Sequence, residues 1–369
     1  MKIAIVHDYL IDFGGAERVL LALHEIYPEA PIYVSIYRKK LLGKFADRFS
    51  DAKIIQSGFG KIMFAEKLIS PLRFLLPVIW KSFNLKKYDL IISSSSWAVT
   101  KGFEKGKNAV EICYCHTPPR YLYGYDSSRK FTGIIGKLVS FYGLFINHIM
   151  RQYDFDAAQK VDYFIANSQE VAKRITKFYQ RDSVVIYPPV EIINDKPRSQ
   201  NVRSYYLTGG RLVSAKNFDL IIETFNQLKI SLKIYGDGVL KNSLQKIAGD
   251  NIEFLGKIDD ENLAKLYSGA KAFVLAQKDE DFGMTAVEAM AYGTPIIAYR
   301  GGGYTESVIE NKTGIFFDHL TVESMSEAVK KFEKMKFDPS DSVNQSKKFL
   351  LRRFKKELVQ FVNSHARIT

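Results

Sequence analysis

Four stretches carry residue types that can act on anions and on hydroxyl-rich ligands. The richest is Glu280-Asp281-Phe282-Gly283-Met284-Thr285-Ala286-Val287-Glu288. Gly283 opens a helical pattern, and the first amides of a helix have no partner within it, so they can hold phosphate oxygens. Glu288 lies farther along that helix, where a carboxylate can accept hydrogen bonds from ribose hydroxyls. Glu280 sits in the loop before it and can take sugar hydroxyls. Nothing in the sequence fixes the separation of the two carboxylates, so they do not read as a hydrolytic acid/base pair. A solvated loop carboxylate and a helix-surface carboxylate are the plainer alternative.

The second stretch is Gly209-Gly210-Arg211-Leu212-Val213-Ser214-Ala215-Lys216. An arginine fork and a lysine point charge flanking one turn suit a diphosphate, although two solvated loop cations would look the same. The third is Asp12-Phe13-Gly14-Gly15-Ala16-Glu17, which joins an apolar strand to a helix. Gly14 and Gly15 allow close approach to the backbone at a helix N-terminus, but the three-glycine dinucleotide spacing is missing. The fourth is Cys113-Tyr114-Cys115-His116-Thr117-Pro118-Pro119-Arg120. His116 ends a strand, where an α/β sheet delivers side chains to ligands. A purely structural histidine is the competing reading. A C-x-C pair with no second cysteine pair is a poor zinc site, so the cysteines read as core.

These loops need elements to hold them. Short apolar runs alternate with helical patterns along the whole chain. In the first half the strands read Lys2–His7, Ile32–Ile36, Asp89–Ser93, Val110–Cys115, Tyr163–Asn167 and Val184–Tyr187. In the second they read Tyr205–Thr208, Leu232–Tyr235, Ile252–Leu255, Ala272–Leu275, Ile296–Tyr299 and Ile315–Phe317. Near-continuous apolar strands with helical crossovers mean parallel sheets covered on both faces. The fold class is therefore α/β, two doubly wound units in tandem facing a central cleft. Tyr187-Pro188-Pro189-Val190 and the polar run over 194–201 make the linker.

The 369 residues suit two domains, and 46% hydrophobic with 25% charged residues is ordinary soluble composition, which excludes a disordered or fibrous chain. Two cysteines exclude a disulfide framework and fit a reducing compartment. The net charge of +13 is uneven, with +10 falling on residues 1–190 and +3 on the remainder. Anionic partners are implied, whether a phosphorylated ligand, nucleic acid or anionic membrane, although a generic solubilising charge is the plainer alternative. Met1–Val6 runs at once into His7-Asp8 and reads as a buried strand rather than a signal peptide. Two apolar stretches, Phe59–Trp80 and Phe131–Met150, are interrupted by charge, glycine and proline and are not membrane spans. They read as interfacial or groove-lining helices, or as ordinary helices packed on a sheet. The basic run Lys347–Leu358 reads as an amphipathic helix.

Taken in order, the motifs resemble the retaining GT-B glycosyltransferases of family 4. They are Gly14-Gly15-Ala16-Glu17, Gly210-Arg211-Leu212 with Lys216, Tyr235-Gly236-Asp237-Gly238, Phe254-Leu255-Gly256, the pair Glu280/Glu288, Gly293-Thr294-Pro295, and Gly302-Gly303 with Glu306. The resemblance implies an acceptor-binding domain over 1–190 and a nucleotide-sugar domain over 191–348. A final helix over about 349–369 would return to the first domain. It implies that Arg211 and Lys216 neutralise the leaving diphosphate, that Glu288 holds the ribose, and that Lys257-Ile258 meets the base. Glu280, with the amides of Phe282, Gly283 and Met284 and with Thr285 beside them, would hold sugar and phosphate. Gly210 and Gly15, with Gly14, would admit the donor phosphates, and His116 would lie beside the transferred sugar. No metal and no cofactor are implied.

His116–Tyr123 and His7-Asp8-Tyr9-Leu10 look like mannosyltransferases of O-antigen and exopolysaccharide synthesis. They imply GDP-mannose, a lipid-linked or glycan acceptor, and a cytoplasmic enzyme peripheral on the inner face of the membrane. A UDP-sugar donor on the same fold is the first alternative, and an epimerase or phosphorylase is the second. A non-enzymatic basic nucleic-acid-binding protein is the third, although no nucleic-acid recognition module is present.

Overall fold

The computed structural model describes residues 1–125, 133–191 and 203–366, without the side chains of 133–140. The expected linker run over 194–201 lies outside the described residues, as do residues 131–132 of the second apolar stretch. The chain divides into two compact units. The first holds residues up to Tyr125, the segment ending at Pro189, and the chain from Leu351 onward; the second holds Val190–Leu350.

Each unit is built on one wholly parallel sheet. The first has seven strands: β1 (Ile3–His7), β2 (Ile32–Val34), β3 (Ile54–Gln56), β4 (Leu90–Ser95), β5 (Val110–Cys115), β6 (Tyr163–Ala166) and β7 (Val184–Val185). Their order is β3-β2-β1-β4-β5-β6-β7. The second has six: β8 (Tyr205–Arg211), β9 (Leu232–Asp237), β10 (Ile252–Gly256), β11 (Ala270–Leu275), β12 (Ile296–Tyr299) and β13 (Gly314–Phe317), in the order β10-β9-β8-β11-β12-β13. In both, the strand order reverses beside the first strand, between β1 and β4 and between β8 and β11. That reversal opens a crevice at the carboxyl edge, where doubly wound sheets bind ligands.

The central strands are buried on both faces. Ile5, Ile32, Ile92 and Ile112 join one core with Val19 and Leu23 of helix Gly15–Ile26. Ile91 and Val6 face a second core with Trp80 and Met150. In the other unit Ile234, Val274, Ile297 and Ile315 pack with Phe218, Phe225 and Val329.

Three sequence expectations are corrected. Strand β3 goes unseen because it is three residues long at a sheet edge. Phe59–Trp80 is not one helix. It breaks into four short turns, Phe59–Lys61, Ala65–Leu68, Arg73–Leu75 and Leu76–Lys81. Pro71 and Pro77 cannot sit inside a longer helix, and Phe64 takes a left-handed conformation with φ of 60°. The basic run Lys347–Leu358 is also divided. Leu350 is extended, at φ −66° and ψ 150°, and bridges Val190. Phe349 packs on Phe282 in the second unit at 5.2 Å between ring centroids. Helix Leu351–His365 then buries Phe354, Leu358 and Val362 in the core of the first unit.

Candidate functional site

In the second unit, Arg211 ends β8 and Lys216 closes a short 3₁₀ turn after it. Gly210 takes φ +116°, open to glycine at little cost, and a Cβ there would lie 2.9 Å from Lys216 Nζ. The ammonium group is thus folded over bare backbone beside the arginine. Asn217 follows with φ 49° and donates from its side-chain amide to the Ala276 carbonyl at 2.8 Å, tying this loop to the one after β11.

The loop after β11 carries Glu280. Its Oε1 accepts from the Asp281 amide at 3.2 Å and its Oε2 from the Tyr304 hydroxyl at 3.2 Å. The Gly303 amide donates to the Glu280 carbonyl at 2.9 Å, so the glycine-rich turn after β12 braces the Glu280 loop. Gly283 caps helix Met284–Ala291 in the left-handed region, φ +87°, with the place of a Cβ taken by the Tyr304 ring at 2.6 Å. Any side chain there would dislodge Tyr304 and, through it, Glu280. On this helix Met284, Thr285 and Glu288 are partly exposed while Ala286, Val287, Ala289 and Met290 are buried. Glu288, one turn beyond Met284, therefore shares the accessible face of the helix start. Lys257 and Ile258 follow β10, with Lys257 exposed. Phe282 is buried, so it offers its backbone and not its ring. Asp259 caps helix Asp260–Gly269, accepting from the Asn262 amide.

The structure thus brings Gly210, Arg211, Lys216, Glu280, Phe282, Gly283, Met284 and Thr285 to the loops on either side of the β8–β11 reversal. Lys257 and Ile258 lie two strands away at the same carboxyl edge. Tyr304 and Asn217 are positioning residues that the sequence did not single out. Their signals, a tyrosine after three glycines and an asparagine before a helix, gain meaning only from the contacts.

In the first unit, His116 follows β5 and donates its amide to the Ser95 carbonyl at 2.9 Å. It is 8% exposed, and burial pushes its pKa down to about 3. Gly14 precedes helix Gly15–Ile26, and its amide donates to Glu17 Oε2 at 2.8 Å. That amide is already engaged, whereas Gly15 is exposed. Asp8, after β1, accepts from the amides of Ser96 and Ala98 and from the Thr100 hydroxyl, and so fixes the loop after β4. The Cys113 thiol is buried and pushed up to about 12 by desolvation, so it stays protonated core. Among the described residues no group of three or more His, Cys, Asp or Glu could hold a metal ion.

His116 gives a pH prediction. Its folded pKa lies below the unfolded value, so the unfolded chain binds the extra proton. The stability it contributes is full above about pH 6.5 and is lost as pH falls toward 3. Between pH 7 and 5 this linkage removes about 2 kcal/mol. Urea unfolding at the two pH values is expected to show that loss, and His116→Asn to show about 2 kcal/mol less of it.

Both halves of the sequence match family models. Residues 13–192 match Glycosyltransferase Family 4, and residues 190–349 match Glycosyl transferases group 1. The chain belongs to the family 4, group 1 glycosyltransferases. This glycosyltransferase is 25% identical over 277 residues to mannosylfructose-phosphate synthase of Agrobacterium fabrum, covering 65% of the chain and 61% of the synthase. The chain spans about half the length of the curated relatives it matches. Sucrose-phosphate synthase of Thermosynechococcus elongatus superimposes with a TM-score of 0.72 at 17% identity, over 99% of both chains. Anabaena HepE in complex with UDP-glucose gives a TM-score of 0.67 at 17% identity, over 99% of this chain and 100% of that one. These likenesses establish the GT-B fold.

Proposed function

We propose that the protein is a retaining glycosyltransferase that moves mannose from GDP-mannose onto a lipid-linked glycan. The observation that carries the nucleotide-sugar part is the pairing of Arg211 and Lys216 after β8 with the Glu280–Thr285 loop and helix start after β11. Cations and the first-turn amides of a helix flank the β8–β11 crevice, and carboxylates suited to hydroxyls stand beside them. Arg211 and Lys216 take the charge that grows on the departing nucleoside diphosphate. A preorganised cation pair stabilises such charge without reorganising as the bond breaks. Glu288 holds the ribose, Glu280 the sugar, and Lys257-Ile258 the base edge. The leaving phosphate takes the acceptor proton in a front-face attack, so no protein nucleophile is needed. His116 meets a sugar hydroxyl. The HepE complex supports a nucleoside-diphosphate sugar as donor. Mannose and guanine rest on the His116–Tyr123 and His7–Leu10 resemblances.

The lipid-linked acceptor rests on one surface of the first unit. Met63, Val78, Phe141, Leu144 and Phe145 are each at least 65% exposed. The two segments that carry them are joined, since Arg73 donates to Asn147 Oδ1 at 2.8 Å and Tyr142 donates to the Pro71 carbonyl. Lys61, Lys67 and Lys81 are exposed nearby in sequence. Apolar side chains with surrounding lysines suit an anionic bilayer surface. Among the described residues no helix is long and apolar enough to cross a membrane.

GDP release from GDP-mannose, measured against UDP release from UDP-glucose, tests the donor. Preferential GDP release is expected; UDP release alone would discard mannose and keep the sugar-transfer chemistry. Co-sedimentation with anionic vesicles at low salt tests the surface. Wild type is expected to pellet and Phe141→Asp/Phe145→Asp to stay in solution. No pelleting of wild type would remove the membrane reading.

A further inference from the structure

The carboxyl edge of the first sheet holds a chain of polar groups that the family resemblance does not explain. His7 ends β1, Ser94 lies directly opposite it in β4, and His116 follows β5. His7 Nδ1 is 2.9 Å from Ser94 Oγ, and Ser94 Oγ is 2.8 Å from His116 Nε2. His7 and Ser94 are at most 1% exposed and His116 is 8% exposed. The other nitrogen of His7, Nε2, is buried without a hydrogen-bond partner. Glu17 Oε1 lies 3.6 Å from it, and the Gly14 amide holds the other oxygen of that carboxylate.

One hydroxyl between two imidazoles can donate only once, so the chain has a direction. A carboxylate only accepts. Facing Glu17, the proton of a neutral His7 is favoured on Nε2, which leaves Nδ1 bare. Ser94 must then donate to His7, and its oxygen must accept from His116 Nε2–H. His116 is left with a bare Nδ1. We infer that Glu17, His7 and Ser94 are positioning residues that lock His116 in its Nε2–H tautomer, so that its Nδ1 accepts a hydrogen bond from a substrate hydroxyl. The inference rests on the reading that His116 meets substrate. Burial of His116 agrees with it, because a charged ring would donate from both nitrogens and accept from neither. Removing Ser94 leaves the tautomer undetermined and the ring free to present a donor where an acceptor is needed.

Long-range proton–nitrogen correlation spectra of the full chain, labelled with ¹⁵N-histidine, read the tautomer of each of the six histidines. His7→Asn and His116→Asn assign the two signals. The expected wild-type result is Nε2–H with bare Nδ1 for both rings. Ser94→Ala is expected to move His116 to a tautomer mixture while the melting curve stays cooperative. His116 in the Nδ1–H form, or a His116 signal unchanged in Ser94→Ala, overturns the relay. Release of GDP from GDP-mannose supplies the second arm. Ser94→Ala is expected to lower turnover about 10-fold in the wild-type background and not at all in His116→Asn. An equal loss in both backgrounds would mean that Ser94 acts on the fold and not through His116, which also overturns the proposal. Wild-type turnover by His116→Asn would instead sink the substrate-facing role of His116, and the spectra would still decide the relay.

Discussion

Arg211→Ala and Lys216→Ala are each expected to lower sugar transfer by about 10²–10³-fold, the usual cost of removing one preorganised group that stabilises transition-state charge. The fold should not suffer. Arg211 is exposed at the end of β8, and Lys216 is partly exposed in the turn after it. Substitutions at such positions usually shift stability by less than about 0.5 kcal/mol. If both cations serve one diphosphate, as proposed, the double variant should fall well short of the product of the two losses. Arg211→Lys should recover only part of the activity, since an ammonium cannot reproduce a two-pronged contact. Gly210→Ala is a third route to the same defect, as its methyl group would meet the Lys216 ammonium at 2.9 Å in a backbone conformation, φ +116°, that alanine resists. Donor turnover and melting curves on the same preparations check all of this. Wild-type turnover by both alanine variants would remove the diphosphate assignment.

The largest stability effect is expected at Asp154. This carboxylate is fully buried in helix Gly133–Lys160, and it pairs with Lys101, which is 1% exposed in the loop after β4. Tyr123 donates its hydroxyl to the other carboxylate oxygen at 2.6 Å, and the ammonium group also lies 4.7 Å from the centre of the Tyr179 ring. Burial opposes the charge on Lys101, but Asp154, together with the neighbouring Cys113 and Cys115, leaves its pKa above the usual lysine value. The pair joins the loop after β4, the long helix and the end of helix Gln169–Tyr179. Asp154→Ala strands an ammonium in the core and should cost about 3–5 kcal/mol. Lys101→Met combined with Asp154→Leu should recover most of that, because it removes both charges at similar volume. Urea unfolding of the three proteins distinguishes the cases. A loss below about 1 kcal/mol for Asp154→Ala would mean that water or another anion reaches Lys101.

Much of this was legible in the sequence for one physical reason: local patterns dictate local structure. Val110–Cys115 and Ile296–Tyr299 form strands over the ranges their apolar runs mark. Gly210 and Gly283 stand where the backbone needs positive φ. What stayed hidden depends on distant partners. Ser94 sits in an unremarkable serine run and gains its role only when the parallel register sets it against His7, 87 residues away. Glu111 looks like a surface charge inside a strand, yet it is fully buried. Its carboxylate accepts from the amides of Gly102 and Phe103 and from the Ser93 hydroxyl. The apolar stretch at Phe59–Trp80 misled because Pro71 and Pro77, which argued against a membrane span, also forbid the single helix that its apolar composition suggested.

The central claim is that the carboxyl edge of the second sheet holds a nucleoside diphosphate. A thermal-shift panel with GDP, UDP, ADP and dTDP tests it most directly, since ligand at about 100 times its dissociation constant stabilises the native state by roughly 2.7 kcal/mol. The account predicts a shift with GDP that exceeds the others and that Arg211→Ala abolishes. No shift with any of the four nucleotides would contradict it.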